Sequence, residues 1–165
     1  MKHAFYAAAA IALLATSSAF AAPGHSGGHA QHMAVGEPGD ASHVDRTVEV
    51  RMFETDNGEM LFEPSSLDVR RGETIRFALA NDGALEHEFV LDDPEKNQEH
   101  KELMERFPEM EHDDPNSARI APGHDGEIVW TFTNAGPFEF ACLIPGHYES
   151  GMHAAVRVSD RTPTN

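Results

Sequence analysis

Residues 142–152 read CLIPGHYESGM, so a thiol (Cys142), an imidazole (His147) and a thioether (Met152) recur at intervals of five residues. Cys142 is the only cysteine of the chain. Sulfur, imidazole and a weak thioether are a donor set for copper, in which two His and one Cys occupy a trigonal plane and Met stands on the axis. A second imidazole is then required. The best candidate is His87, in NDGALEHEFVLDD (81–93), where a loop-like segment turns into an apolar run. Taken alone, His87 reads more readily as a polar turn residue; upstream of a Cys/His/Met loop it reads as a ligand.

Outward from that loop the chain is a series of short β-rich runs. The loop itself lies between 137–141 and 154–158, and further runs cover 60–62, 66–69, 74–80, 87–91 and 127–133. In 47–53, Val48, Val50 and Met52 alternate with Thr47, Glu49 and Arg51, the period of a half-buried strand. Turn signals such as Asp56-Asn57-Gly58, Asn81-Asp82-Gly83, Pro122-Gly123 and Asn134-Ala135-Gly136 separate the runs. This pattern predicts an all-β sandwich or barrel of antiparallel type, with Trp130 in its core. Residues 92–116 break the rhythm: they favour helix, are bounded by Pro94 and Pro115, and hold ten acidic against three basic residues. They are expected to form a short acidic helical insert, docked through Leu103, Phe107 and Met110.

An early strand, FEPSSLDVRRGETIRFALAND (62–82), His87, the turn and strand APGHDGEIVWTFT (121–133), and GPFEFACLIPGHYESGMHAAVRV (136–158) follow one another. In this order the chain resembles the cupredoxins, type 1 copper proteins of the plastocyanin/azurin kind, over about 47–158. It is most similar to the small green periplasmic cupredoxins of bacterial copper-tolerance systems, which carry a His- and Met-containing tail and an acidic insert. The resemblance implies a Greek-key β-sandwich holding copper near one end through His87, Cys142, His147 and an axial Met152. Phe89, Phe140 and Pro145 would form the dry surroundings of that site, with Asn81 either supporting it or serving only as a turn former.

The N-terminus carries Lys2, an apolar run over 4–15 and a small-x-small signal at Ala19-Phe20-Ala21, which read as a secretory signal peptide over 1–21. The run is too short for a bilayer span, so an exported, periplasmic chain without membrane insertion is expected. Beyond residue 21 there remain 11 basic and 28 acidic residues, a formal charge of −17. Nucleic acid is a poor partner for such a surface, whereas copper ions, other cations and basic proteins are suitable ones, and the charge can equally serve solubility alone. A periplasmic redox or copper-transfer protein is the partner that the copper site would call for. A lone Cys in an oxidising compartment has no disulfide partner in the chain, and coordination would protect it. Residues 22–44 contain Gly, Pro, Ser, Ala and His with almost nothing to fill a core, so they read as a disordered tail ahead of a domain over 45–160.

Further soft donors lie outside the loop. His25, His29, His32, Met33 and His43 of the tail could wrap an auxiliary copper ion, or be incidental to a polar leash. In the insert, His100 and Met104 stand four apart on one helix face, with Met110 and His112 beyond; against a soft site there, the two Met can be core-facing and the two His superficial. These features bear on three functions. Copper tolerance, by binding copper and oxidising it, uses the tail and insert as well as the centre. A one-electron carrier between periplasmic partners needs the centre alone. An oxidase or nitrite reductase commonly has a His next to the type 1 Cys, where this chain has Ala141 and Leu143, and the chain is short for several such domains. A non-enzymatic protein is therefore expected.

Overall fold

The computed structural model describes residues 33–107 and 114–160. Ten strands and one helix occur in these segments. Four strands lead to the first half of the site: β1 (Glu37–Pro38), β2 (Arg46–Glu54), β3 (Met60–Glu63) and β4 (Ser66–Arg70) precede β5 (Thr74–Asn81) and β6 (His87–Asp92). Helix α1 (Pro94–Arg106) follows, then β7 (Ser117–Ile120), β8 (Asp125–Thr131), β9 (Gly136–Ala141) and β10 (His153–Ser159). They build two five-stranded sheets in the orders β1-β8-β5-β2-β3 and β4-β10-β9-β6-β7. All eight runs expected from the sequence are strands.

Both sheets are mixed: β2 runs parallel to β5, and β4 parallel to β10. The expectation of an antiparallel sandwich is corrected here. Alternation reports which face a side chain takes and is silent on strand direction, which the crossovers between sheets decide. Val48, Val50 and Met52 of β2 meet Ile75, Phe77 and Leu79 of β5 and Phe138, Phe140, Val156 and Val158 of the opposite sheet in one apolar core, with Trp130 fully buried. Phe89 stacks on Phe140 at 5.0 Å between centroids, and Phe62 meets Phe140 edge-on at 5.1 Å. Offset and edge-on pairs suit the ring quadrupoles, so two strands of one sheet, β6 and β9, interlock with β3 of the other.

Order begins earlier than the composition predicts. Residues 33–44 were expected in the tail, yet β1 pairs with β8, Val35 is fully buried, and its carbonyl accepts a 3.4 Å hydrogen bond from the Trp130 indole. Met33 also packs against the core. Edge pairing uses backbone groups, which leave little mark on side-chain composition. Gly36 makes the entry possible: it holds φ +137°, and a Cβ there would run into the Thr131 carbonyl oxygen. The expected signal peptide and the tail residues His25, His29 and His32 lie outside the described residues, as do Met110 and His112.

Helix α1 begins as Asp93-Pro94 dictates, with the Asp93 carboxylate accepting from the Lys96 N–H at 2.9 Å and Pro94 in the first turn. Its docking face differs from the expected one. Leu103 and Phe107 are 40 % and 58 % exposed, whereas Met104 is fully buried against Val90, Ala141, Leu143 and Tyr148. The contact stripe is Asn97, Lys101 and Met104. Asn97 donates to Glu139 at 3.2 Å, and Lys101 lies over the Tyr148 ring at 5.2 Å while pairing with Glu149. Two polar residues on the stripe hid it from a hydrophobicity count. Met104→Ala should therefore lower the unfolding free energy by about 2–5 kcal/mol in urea titrations, by loss of buried volume. Phe107→Ala should change it by no more than about 0.5 kcal/mol, as for an exposed position.

Candidate metal centre

Strand pairing carries the sequence-separated donors to one end of the sandwich. β6 runs antiparallel to β9, with Val90 opposite Ala141, so the start of β6 (His87) and the residue after β9 (Cys142) lie side by side. The Glu88 N–H then points to the Cys142 sulfur at 3.3 Å. The loop from Cys142 to Met152 is closed by the β9–β10 pairing: Cys142 N–H donates to Met152 O at 3.0 Å and Met152 N–H to His147 O at 3.1 Å. Gly146, at φ +88°, supplies the left-handed residue that turns the chain beneath His147.

His87 Nδ1 and His147 Nδ1 are 3.3 Å apart, and Cys142 Sγ lies 3.3 Å from His147 Nδ1. The donor atoms of the three residues all fall within 4.8 Å of one another, the one such grouping of three or more His, Cys, Asp or Glu among the described residues. First-row metal–imidazole bonds of roughly 2.0–2.1 Å put two trigonal donors roughly 3.5 Å apart, so the spacing fits a shared ion. Met152, whose backbone closes the loop, is fully buried, as are His87 and Cys142; His147 keeps 9 % of its surface exposed.

Burial sets the protonation of the metal-free donors. It pushes the Cys142 thiol up to about 12, against a smaller opposing effect of the Glu88 N–H. His87 is held below 6.5 by desolvation, which outweighs the adjacent Glu54 carboxylate, and His147 is lowered by desolvation and by His87. At neutral pH the centre is thus two neutral imidazoles and one thiol. Neutral imidazole and thiolate are the metal-binding forms, so only the thiol proton must leave.

Two further residues at the centre escaped the sequence analysis. Glu54, at the end of β2, accepts from His87 Nε2 at 3.0 Å and from the N–H groups of Ala84 and Leu85, each at 2.9 Å. Burial alone would push Glu54 up, but those two amides, its own N–H and His87 bring it below the usual carboxylate range. Glu88, buried beside the sulfur, belongs to the same strand as His87. No spacing rule connects Glu54 to His87 across 33 residues, and Glu88 reads as a charged position of a strand.

Asn81 is more than a turn former. Its side chain donates to Leu85 O and Ile120 O at 2.8 Å each and accepts from Gly83 N–H at 2.9 Å, fixing the approach to His87. Phe89 and Phe140 lie in the core cluster that includes Cys142 and Met152, whereas Pro145 is exposed at the loop surface and is corrected as part of the dry surroundings. Met33 is partly buried against the core, and Met104 is buried under the helix, the core-facing alternative weighed for it. His43 is exposed and held by Asp40 at 2.9 Å, and His100 is half-buried on α1. His124 is exposed and bonds to Pro122 O, and His153 stacks on Tyr148 at 4.6 Å.

Residues 48–159 match the copper binding proteins of the plastocyanin/azurin family. The chain is 51 % identical over 136 residues to a "Copper-resistant cuproprotein CopI" of Rubrivivax gelatinosus, covering 81 % of this chain and 80 % of that one. A protein of the same description from Pseudomonas aeruginosa is 37 % identical over 171 residues, covering 86 % and 88 %. Among solved structures, auracyanin B superposes with a TM-score of 0.60 at 21 % identity over 75 % of this chain and 96 % of its own. The reduced auracyanin of Roseiflexus castenholzii gives 0.58 at 22 % identity over 71 % and 99 %. These two similarities establish the fold.

Loading the metal-free protein with Cu(II) at pH 7 should release about one proton per ion at this centre, since one thiol and no imidazolium must be deprotonated. Calorimetry in buffers of different ionisation enthalpy reads the number. Release of two or more would mean that an imidazole is protonated before binding.

Proposed function

Since the chain belongs to the copper-binding plastocyanin/azurin family, we propose that it is a periplasmic copper-tolerance protein with a type 1 centre formed by His87, Cys142, His147 and axial Met152. The observation that carries this reading is the buried grouping of two imidazole nitrogens and one sulfur at one end of the sandwich. A thiolate suits Cu(I), imidazole suits both oxidation states, and copper bound there would exchange one electron. The two relatives described as copper-resistant cuproproteins support the tolerance role. Export rests on the N-terminal sequence; among the described residues no helix is long and apolar enough to cross a membrane. The protein acts by binding copper and cycling its oxidation state rather than by enzymatic turnover, with a periplasmic redox or copper-transfer protein as partner.

A second reading, one-electron carriage between periplasmic partners, is favoured by His147. It alone of the four site residues retains exposed surface, and so offers an electron a short path to a partner. The auxiliary donors His25, His29, His32, His43, His100 and His112, with Met110, belong to the tolerance reading, as holders of further copper.

Cu(II)-loaded protein should show an intense thiolate-to-copper charge-transfer band that ascorbate bleaches and Cys142→Ser abolishes. Met152→Leu should retain copper with a shifted band. A strain lacking the gene should grow normally without added copper and be copper-sensitive. Unchanged copper tolerance with loss of respiration would instead select the carrier.

Removing residues 22–32, which precede the described residues, should lower total copper stoichiometry by mass spectrometry and leave the charge-transfer band intact. Equal stoichiometry with and without them would rule out a metal-binding role for that stretch.

A further inference from the structure

We propose that Glu54 is a positioning residue of the copper centre: it receives the His87 Nε2–H, directs Nδ1 to the ion, and supplies a negative charge that favours Cu(II) over Cu(I). The inference rests on His87 being a copper ligand and goes beyond it by assigning the group that orients and polarises that ligand.

Four observations converge on Glu54. First, its Oε1 is 3.0 Å from His87 Nε2, while the other ring nitrogen, Nδ1, is the one that faces His147. An imidazole whose Nε2–H is held by an acceptor carries its lone pair on Nδ1, so this contact selects the metal-binding tautomer. Second, the same carboxylate is itself fixed. Oε2 accepts from Ala84 N–H and Oε1 from Leu85 N–H, so Glu54 cannot rotate away without releasing the loop that leads into His87. Third, the loop is shaped to admit it. A Cβ on Gly83 would fall 2.5 Å from Glu54 Oε2, and Asn81 Oδ1 holds the Gly83 N–H in place. Fourth, Glu54 comes from β2, in the sheet opposite to β6, so the contact ties His87 to the other half of the sandwich.

A carboxylate on the outer nitrogen of a ligating imidazole raises the basicity of the ligand and fixes the ring plane. Copper gains one positive charge on going from Cu(I) to Cu(II). A fixed anion one imidazole away therefore stabilises the oxidised state more than the reduced one. The direction favours loss of one electron from Cu(I) bound there to an external one-electron acceptor, since it lowers the potential of the centre.

Glu54→Gln separates charge from geometry. The amide oxygen can still accept from His87 and Leu85, at the loss of the Ala84 hydrogen bond. We expect this variant to keep the charge-transfer band while the Cu(I)/Cu(II) ratio at a fixed poise rises at least tenfold, a potential increase of about 59 mV or more for one electron. Glu54→Ala should in addition weaken copper binding by roughly 10–100-fold, as loss of an outer partner of a ligand does. Nitrogen-15 NMR of the metal-free wild type should find the His87 proton on Nε2.

A Gln variant whose ratio moves less than twofold would overturn the charge role. A metal-free His87 carrying its proton on Nδ1 would overturn the positioning role, whether or not the variants fold. Failure of the underlying ligand reading is distinguishable, because His87→Ala would then leave the charge-transfer band of the wild type unchanged.

Discussion

The hydrogen bond from Cys142 N–H to Met152 O fixes the geometry on which the centre depends. It is the last rung of the β9–β10 pairing and brings both ends of the donor loop together without help from a metal. Within the closed loop, His147 N–H bonds to Ile144 O and Met152 N–H to His147 O, so the positions of the three donors are set by backbone groups satisfying one another. His87 joins them through the β6–β9 ladder. A centre assembled by sheet register changes little with the charge of its ion, and small rearrangement is what one-electron exchange requires.

The donor loop was legible because its residues are adjacent in sequence and their types are rare in combination. The eight main strands were legible from alternation and turn residues. What was not legible depends on groups that carry no pattern. Strand β1 is held by backbone pairing and by one buried side chain, Val35, within a stretch rich in Gly and Pro. The docking stripe of α1 includes Asn97 and Lys101, which a hydrophobicity count assigns to solvent. Leu103 and Phe107 face outward although the same count turns them inward. Glu54 meets His87 only because two sheets fold over each other, a long-range event with no local trace.

Negative charge is distributed unevenly around the centre, and the three nearby carboxylates do different work. Glu54 grips the outer nitrogen of His87 and two amides of its loop. Glu88 lies beside Cys142, and its field opposes thiolate formation while that of Arg119, across the β6–β7 pair, favours it. Glu139, buried on β9, accepts from Asn97 of α1 and from the Tyr148 hydroxyl at 3.3 Å. Fixed anions near the site favour the higher charge on a bound ion and oppose the thiolate in its absence. The metal-free and copper-bound states therefore differ most at the sulfur.

Glu139 also gives the insert a structural meaning. Its carboxylate joins the helix, through Asn97, to the donor loop, through Tyr148, and the Tyr148 ring in turn contacts both Lys101 and the His153 ring. His147 and Met152 directly precede Tyr148 and His153, so each of these two donor positions has a neighbour in the stacked pair. Met104 completes the contact by packing on Ala141 and Leu143, the residues flanking Cys142. The helix is thus buttressed against three of the four site positions through their sequence neighbours. A loop held from outside as well as from within has fewer conformations to lose when it binds an ion, which is the general route by which preorganisation strengthens binding. On this argument the described part of the insert contributes to the candidate metal centre through rigidity.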